Sequence, residues 1–326
     1  MSQQPIIIVG SGLAGYTVAR EFRKLDSETP VLIISADHGG FYSKPTLSNA
    51  LATGKTPHAI VTASAEKMAE QLKATVRFRN RVAAINLPTN AVVLEDGEKL
   101  SYHELVLALG ADPIRLPLEG EAANEILSVN DLDDYQRLRD LLEGKKRVTI
   151  LGGGLIGCEF ANDLAVAGYR VSVIDISTRP LGRLLPPSGG AFLQRKLEAA
   201  GVTFYLGAVA ERIEQTGKSF RLTLASGETI ETDLVLSAVG LRPRTAIAKA
   251  AGIHVNRGIV VNRSLQTHHA GIYALGDCAE VEGRVFRSSC PSCMRLAASR
   301  RPLRKPLPPF GIPQCPCSSR HRPARP

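Results

Sequence analysis

Two glycine runs in this chain have the spacing that lets a backbone wrap a diphosphate. Gly10-Ser11-Gly12-Leu13-Ala14-Gly15 follows the apolar run Ile6–Val9, and Gly152-Gly153-Gly154-Leu155-Ile156-Gly157 follows Val148–Leu151. The first glycine of such a run permits a tight turn, and the second lets a pyrophosphate approach the main chain. The third lets helix and strand pack closely, with the phosphates at the positive end of the helix. One G-x-G-x-x-G alone is a weak signal, but both copies stand where a β-rich run turns into a helical one, which is the context the motif requires. Two such sites predict two dinucleotides held in one chain, most simply a flavin and a nicotinamide.

Acidic residues follow each run at the distance a ribose would need. Asp175 ends the strand-like Val171–Ile174, 23 residues after Gly152. A carboxylate there accepts hydrogen bonds from a ribose 2′-OH and repels a 2′-phosphate, which favours NADH over NADPH. Arg179 and Arg183 stand close by and pull the other way. After the first run, Ser35-Ala36-Asp37 occupy the equivalent place. Ser35 is not acidic, so the contact falls to the main chain or to Asp37. A third carboxylate, Asp277, follows Gly276 at the end of a short strand-like segment, where it could face a polyol.

Thiol chemistry is hard to build from this sequence. Only Cys158 and Cys278 precede residue 290, and neither stands near a second cysteine. Cys158 opens a helix and reads as a small apolar packing residue. Cys290-x-x-Cys293 and Cys315-x-Cys317 approach zinc-ligand spacing, but the segment that carries them has no hydrophobic periodicity, so no metal site is expected.

The elements that position these groups form an α/β pattern. Strand, glycine turn, helix and second strand (31–34) make the first βαβ unit, with short strands near 75–79, 91–94 and 105–109. A helix is expected over 132–142 with Asp131 at its N-cap. The second unit runs as strand 147–151, helix to Ala167 with Gly168 as its stop, strand 170–174, helix 191–200, strand 202–206, a hairpin around Ser226-Gly227 and strand 234–238. Connectors at 112–120 and 240–243 place the second unit inside the first. The expected architecture is therefore two Rossmann-like domains, one discontinuous (1–112 and 243–283) and one inserted (113–242).

The bulk composition bounds the function. The 326 residues are 44% hydrophobic and 22% charged, ordinary for a globular protein. No apolar run approaches the ~20 residues that span a bilayer, and no secretory signal precedes the strand at Ile6, so a cytoplasmic location and no membrane partner are expected. The net charge of +9 is uneven: ten of the 40 basic residues lie in 284–326, which holds no Asp or Glu, leaving 30 basic against 31 acidic residues elsewhere. A nucleic-acid partner is not expected from so nearly neutral a body.

Several distant motifs, in order, carry a resemblance. These are Gly10–Gly15, Phe41-Tyr42-Ser43-Lys44-Pro45-Thr46-Leu47-Ser48, Tyr102–Ala111, Gly152–Glu159, Gly240-Leu241-Arg242-Pro243 and Tyr273–Ala279. Together they resemble the two-dinucleotide, FAD-dependent pyridine nucleotide oxidoreductases, and within them the rubredoxin reductase family of bacterial alkane oxidation. The resemblance covers residues 5–283. It implies FAD at Gly10–Gly15, with Lys44-Pro45 against the flavin, Arg81-Val82 at the adenine, Gly110 closing this section and Gly276-Asp277 at the ribityl chain. It implies NADH at Gly152, Gly154 and Gly157, with Glu159 near the nicotinamide and flavin, Asp175 at the ribose and Gly240 at the second connector.

No side chain is expected to act as a catalytic acid or base. Lys44 and Glu159 are expected to tune the hydride step at the flavin, and Lys44 to pair with a buried carboxylate. Disulfide-reducing and peroxide-reducing relatives keep redox cysteines near the flavin, and Tyr42-Ser43-Lys44 has none. The implied reaction is electron transfer from NADH through FAD to rubredoxin or a similar one-electron carrier. Reductases of ferredoxin, flavorubredoxin or nitrite-reductase systems stand as alternatives, as does a non-enzymatic dinucleotide- or nucleic-acid-binding protein.

Residues 284–326 fit none of this. Arg, Pro, Ser and Cys enrichment without acids is what an out-of-frame reading of GC-rich DNA tends to give. They are expected to be a disordered, aberrant tail in place of a C-terminal interface domain, with weakened FAD affinity as the consequence.

Overall fold

A computed structural model describes residues 4–285. Its first layer is a five-stranded parallel sheet. Ile6–Val9 lies at the centre, flanked by Val31–Ile34 and Glu104–Leu107, with Thr75–Arg77 and Ile272–Ala274 at the edges. Ile7, Ile33 and Leu105 are fully buried, as strands covered on both faces require. The second parallel sheet runs Val202–Leu206, Arg170–Asp175, Arg147–Leu151, Leu234–Ser237. Its four strands follow the same order as the first four of the other sheet. Each sheet is also accompanied by a three-stranded antiparallel meander, over residues 82–101 and 210–232 respectively. The molecule is thus two copies of one plan, the first completed by a late strand that returns at Ile272–Ala274.

The two connectors are not loose. Ala111–Pro113 pairs antiparallel with Leu241–Pro243. Arg244 closes this ribbon through Asp112 at 2.6 Å, and its backbone N–H reaches Gly110 O at 3.0 Å. Ile114 N–H donates to Gly240 O at 3.0 Å, so Gly110 and Gly240 bracket the crossing.

Most predicted elements are present, and the helix over Leu132–Leu142 carries its Asp131 cap, whose carboxylate accepts Asp134 N–H at 2.9 Å. Others differ. The stretch 41–64, whose Pro45, Gly54 and Pro57 predict a loop, holds a 3-10 turn at Lys44–Ser48 and a short helix at Pro57–Ile60. The helix Ala65–Leu72 and the strands Val82–Asn86, Lys99–Ser101 and Ala210–Thr216 were not anticipated. The helix expected at 191 begins a turn earlier, at Pro187, because proline suits the first helical turn. Arg284 and Val285, assigned above to the tail, form a strand against Ala279–Val281. Glu282 and Gly283 both have positive φ (49° and 73°), the conformation of a two-residue hairpin turn. The expectation for the remainder of that tail lies outside the described residues.

Candidate functional site

The first glycine run separates into two jobs. A Cβ on Gly15 would sit 1.9 Å from Gly10 O, and one on Gly10 would sit 2.2 Å from Ala108 O. These two glycines are dictated by packing. A Cβ on Gly12 would meet nothing within 4 Å, so the protein interior does not demand glycine there. Gly12 caps the helix Leu13–Arg23, which has no side-chain cap and no acid in its first turn. Its first N–H groups are left for an anion. Leu13 is 41% exposed at this mouth, and Ala14 is approached by Gly276, where a Cβ would lie 2.9 Å from Ala14 Cβ. Gly276–Cys278 is a 3-10 turn, which brings Asp277 to the same helix end from 263 residues away in the chain.

The acidic position is a hydroxyl–carboxylate cluster. Ser11 Oγ lies 2.5 Å from Ser35 Oγ. Asp37 Oδ1 accepts from Ser35 Oγ at 2.5 Å, Ser11 Oγ at 3.2 Å and Gly39 N–H at 2.8 Å. Ser35 is buried while Ala36 is exposed and Asp37 half-buried. Arg79 N–H reaches Asp37 O at 2.8 Å and Asn80 N–H reaches Ser35 O at 2.9 Å. This carries Arg81 and Val82 to the flank of the cluster. Val82 is buried, and the Arg81 side chain turns outward to Glu95 at 3.3 Å.

The second run repeats the geometry. A Cβ on Gly157 would lie 1.8 Å from Gly152 O, whereas one on Gly154 would meet nothing. The helix Leu155–Val166 likewise starts with no side-chain cap and no acid in its first turn. Asp175 accepts the N–H of Gly153 and, at 2.6 Å, that of Ser177. The carboxylate therefore stands directly against the glycine turn. Space over the second glycine, free N–H groups at a helix start and an acid beside the turn fit a diphosphate-bearing ligand at both sites.

The two sites interlock through the 41–61 segment. Leu47, Ala50 and Ile60 are buried in the core of the second unit with Leu132, Phe160 and Leu164. Ser48 Oγ donates to Glu159 Oε2 at 2.5 Å. One turn further along that helix, buried Asp163 accepts Leu51 N–H at 2.8 Å and Ala52 N–H at 3.0 Å. Burial raises the Asp163 carboxyl above its ordinary range, and those two N–H groups oppose the rise.

Lys44 is placed by the same segment, but its partner corrects the expectation of a carboxylate. Its Nζ donates to the neutral Oδ1 of Asn130 at 2.6 Å. Glu159, the nearby acid on the second unit, is engaged by Ser48 instead. Burial pulls the Lys44 ammonium below the usual lysine range; Asp277 opposes this and Arg244 reinforces it. Pro45 sits in the first turn of the 3-10 segment.

Cys158 and Cys278 are buried free thiols, each pushed up to about 11 chiefly by burial. Neither is a ready nucleophile. Asn130, Asp163 and Ser48 were missed from sequence. The spacing of Glu159 and Asp163 by four residues in a mostly apolar helix was the available signal for one shared face.

Two glycine cradles on two interlocked parallel sheets define a two-dinucleotide oxidoreductase. The chain belongs to the pyridine nucleotide-disulphide oxidoreductase family, which matches residues 4–298 and so reaches past the last described residue. Reductases of this family use FAD and NADH. The chain is 49% identical over 304 residues to rubredoxin-NAD(+) reductase of Alcanivorax borkumensis, covering 93% of this chain and 78% of that protein. To the enzyme of the same name from Acinetobacter baylyi it is 47% identical over 310 residues, with the same shares. Among solved structures, the ferredoxin reductase for the CYP199A2 system of Rhodopseudomonas palustris superposes with a TM-score of 0.84 at 29% identity. Putidaredoxin reductase in covalent complex with putidaredoxin gives 0.82, also at 29%. Both comparisons cover 91% of this chain and 75% of the other.

Proposed function

We propose that this chain is an FAD-dependent NADH:rubredoxin oxidoreductase. FAD bound here would supply hydride acceptance from NADH and one-electron release to a carrier. In this reading the chain's residues bind and orient. Gly10, Ser11, Gly12, Leu13, Ala14 and Gly15 cradle the FAD diphosphate. Ser35, Ala36, Asp37, Arg81 and Val82 take its adenosine end, and Gly110, Gly276 and Asp277 its ribityl side. Gly152, Gly154, Gly157 and Asp175 seat NADH. Glu159 and Gly240 stand at the join, and Lys44-Pro45 faces the flavin.

The observation that carries the reading is the interlock: Ser48–Glu159 and Asp163–Leu51 fasten the second cradle's helix to the segment that holds Lys44. Two dinucleotides seated in units so joined are held in one fixed relation, which is what direct hydride transfer requires. The lack of a cysteine pair in the described residues supports an external acceptor. The names of the two curated relatives support rubredoxin as that acceptor, and the two solved neighbours keep ferredoxin-type carriers as the second reading. Free thiols suit a reducing compartment, in keeping with a cytoplasmic location. No helix among the described residues is long and apolar enough to cross a membrane.

The test is anaerobic electron transfer from NADH through the purified chain to rubredoxin and, in parallel, to a ferredoxin. Faster reduction of rubredoxin supports the proposal. Reduction of ferredoxin alone favours the second reading, and NADH oxidation coupled to neither carrier counts against both.

A further inference from the structure

We propose that Asn130 is a positioning residue for Lys44, holding the ammonium with a neutral acceptor so that no carboxylate is directly ion-paired with it. The inference rests on the FAD site proposed above. Asn130 is 7% exposed and every polar group of its side chain is engaged. Oδ1 accepts from Lys44 Nζ at 2.6 Å, and Nδ2 donates to Ala111 O at 3.0 Å. Its backbone N–H donates to Asp134 Oδ2 at 2.9 Å.

The orientation of the amide follows from the chemistry of its neighbours. Ala111 O can only accept and Lys44 Nζ can only donate. A flipped amide would set NH2 against NH3+ and oxygen against oxygen. The side chain is therefore locked in one state. Through Ala111 the lock reaches the paired connectors, because Ala111–Pro113 is the strand that meets Leu241–Pro243. Lys44 is in this way tied to the ribbon between the two units.

The choice of a neutral partner matters. A half-buried ammonium needs an acceptor to offset its lost hydration. A carboxylate at position 130 would supply one and form a direct ion pair, whereas the carboxylates of Asp277, Asp131 and Asp134 act on the ammonium from beyond ion-pair distance. An amide supplies one and keeps the charge, so the cation stays available to oppose negative charge on an adjoining reduced cofactor.

The test uses the full chain loaded with FAD, the midpoint potential of the flavin and its rate of reduction by NADH. In Asn130→Asp the potential falls and flavin reduction slows about tenfold. In a Lys44→Met background the same substitution places a carboxyl in a buried site with no cation beside it, where desolvation keeps it protonated, and the potential is nearly unchanged. An unaltered potential in Asn130→Asp, or an equal fall with and without Lys44, overturns the inference. A parent chain that takes up no FAD overturns the proposed function instead, so the two failures are distinct. Asn130→Ser gives an independent readout without FAD, through acetylation of lysines mapped by mass spectrometry. Lys44 is modified about tenfold faster than in the parent once its charged hydrogen bond is lost, and equal rates overturn the inference.

Discussion

The carboxylate of Asp163 accepts the backbone N–H of Leu51, 112 residues earlier in the chain, at 2.8 Å. It does the same for Ala52 at 3.0 Å. One buried side chain thus satisfies two main-chain donors of the other unit. Replacing Asp163 with Ala removes the acceptor of both donors; Leu51 is half-buried and Ala52 exposed, so water replaces part of the loss and unfolding stability falls by about 1–3 kcal/mol. Asp163→Asn keeps one acceptor and costs less. Chemical denaturation of the three proteins checks the order parent, Asn, Ala.

The glycine runs predict opposite outcomes for neighbouring substitutions. Gly15→Ala and Gly157→Ala place a methyl group about 1.9 and 1.8 Å from a carbonyl oxygen, and lower the melting temperature of the ligand-free protein through overpacking of about 1–3 kcal/mol. Gly12→Ala and Gly154→Ala meet no protein atom and leave that melting temperature nearly unchanged. Gly12→Ala instead weakens FAD binding, and Gly154→Ala raises the KM for NADH. Melting curves of ligand-free protein, FAD titration and steady-state kinetics separate the two pairs.

In the proposed NADH seat, the negative charge of Asp175 beside the second turn is expected to set the choice between nicotinamides. Asp175→Asn retains an oxygen for the Ser177 N–H but removes the repulsion of a 2′-phosphate. The ratio of kcat/KM for NADPH over NADH rises about tenfold. Paired kinetics with the two nucleotides check this.

Asp233 gives the acid side of the stability profile. Burial alone would raise its pKa, but hydrogen bonds from Arg147, the N–H groups of Lys146 and Arg147, and Ser219 hold it well below the usual carboxylate range. The pair with Arg147 measures 2.8 Å, and the Asp233 side chain is 14% exposed. A carboxylate depressed in the folded state stabilises above its unfolded pKa of about 3.9 and loses that contribution as pH falls toward the folded value. Asp233→Asn is therefore less stable at pH 7, by about 1–3 kcal/mol, and shows a flatter loss of stability below pH 4. Urea midpoints across pH 2–7 decide it.

The glycine turns and the parallel strands were legible because each has a local signature. Apolar runs such as Ile6–Val9 lead straight into glycines whose spacing carries meaning, and Asp131 announces its helix by capping chemistry. The strands Val82–Asn86 and Ala210–Thr216 were hidden because only part of each is buried, and their alternation is broken by a register shift in each meander. The helix Ala65–Leu72 was overlooked although Ser64 caps it. Lys44 was named from the sequence, but its hydrogen-bond partner was not. Asn130 lies 86 residues away, and only the docking of the 41–61 segment into the second core brings them together. The same docking explains why Asp163 reads as an unremarkable helix acid in sequence and as a buried fastener in the fold.

The central claim is that one chain holds FAD and NADH in direct exchange, and an absorption spectrum before and after anaerobic mixing with NADH tests it most directly. The account predicts a yellow protein whose flavin bands bleach on mixing, with no thiol oxidised or reduced in the step. A colourless protein, or flavin bands that NADH leaves intact, would contradict it.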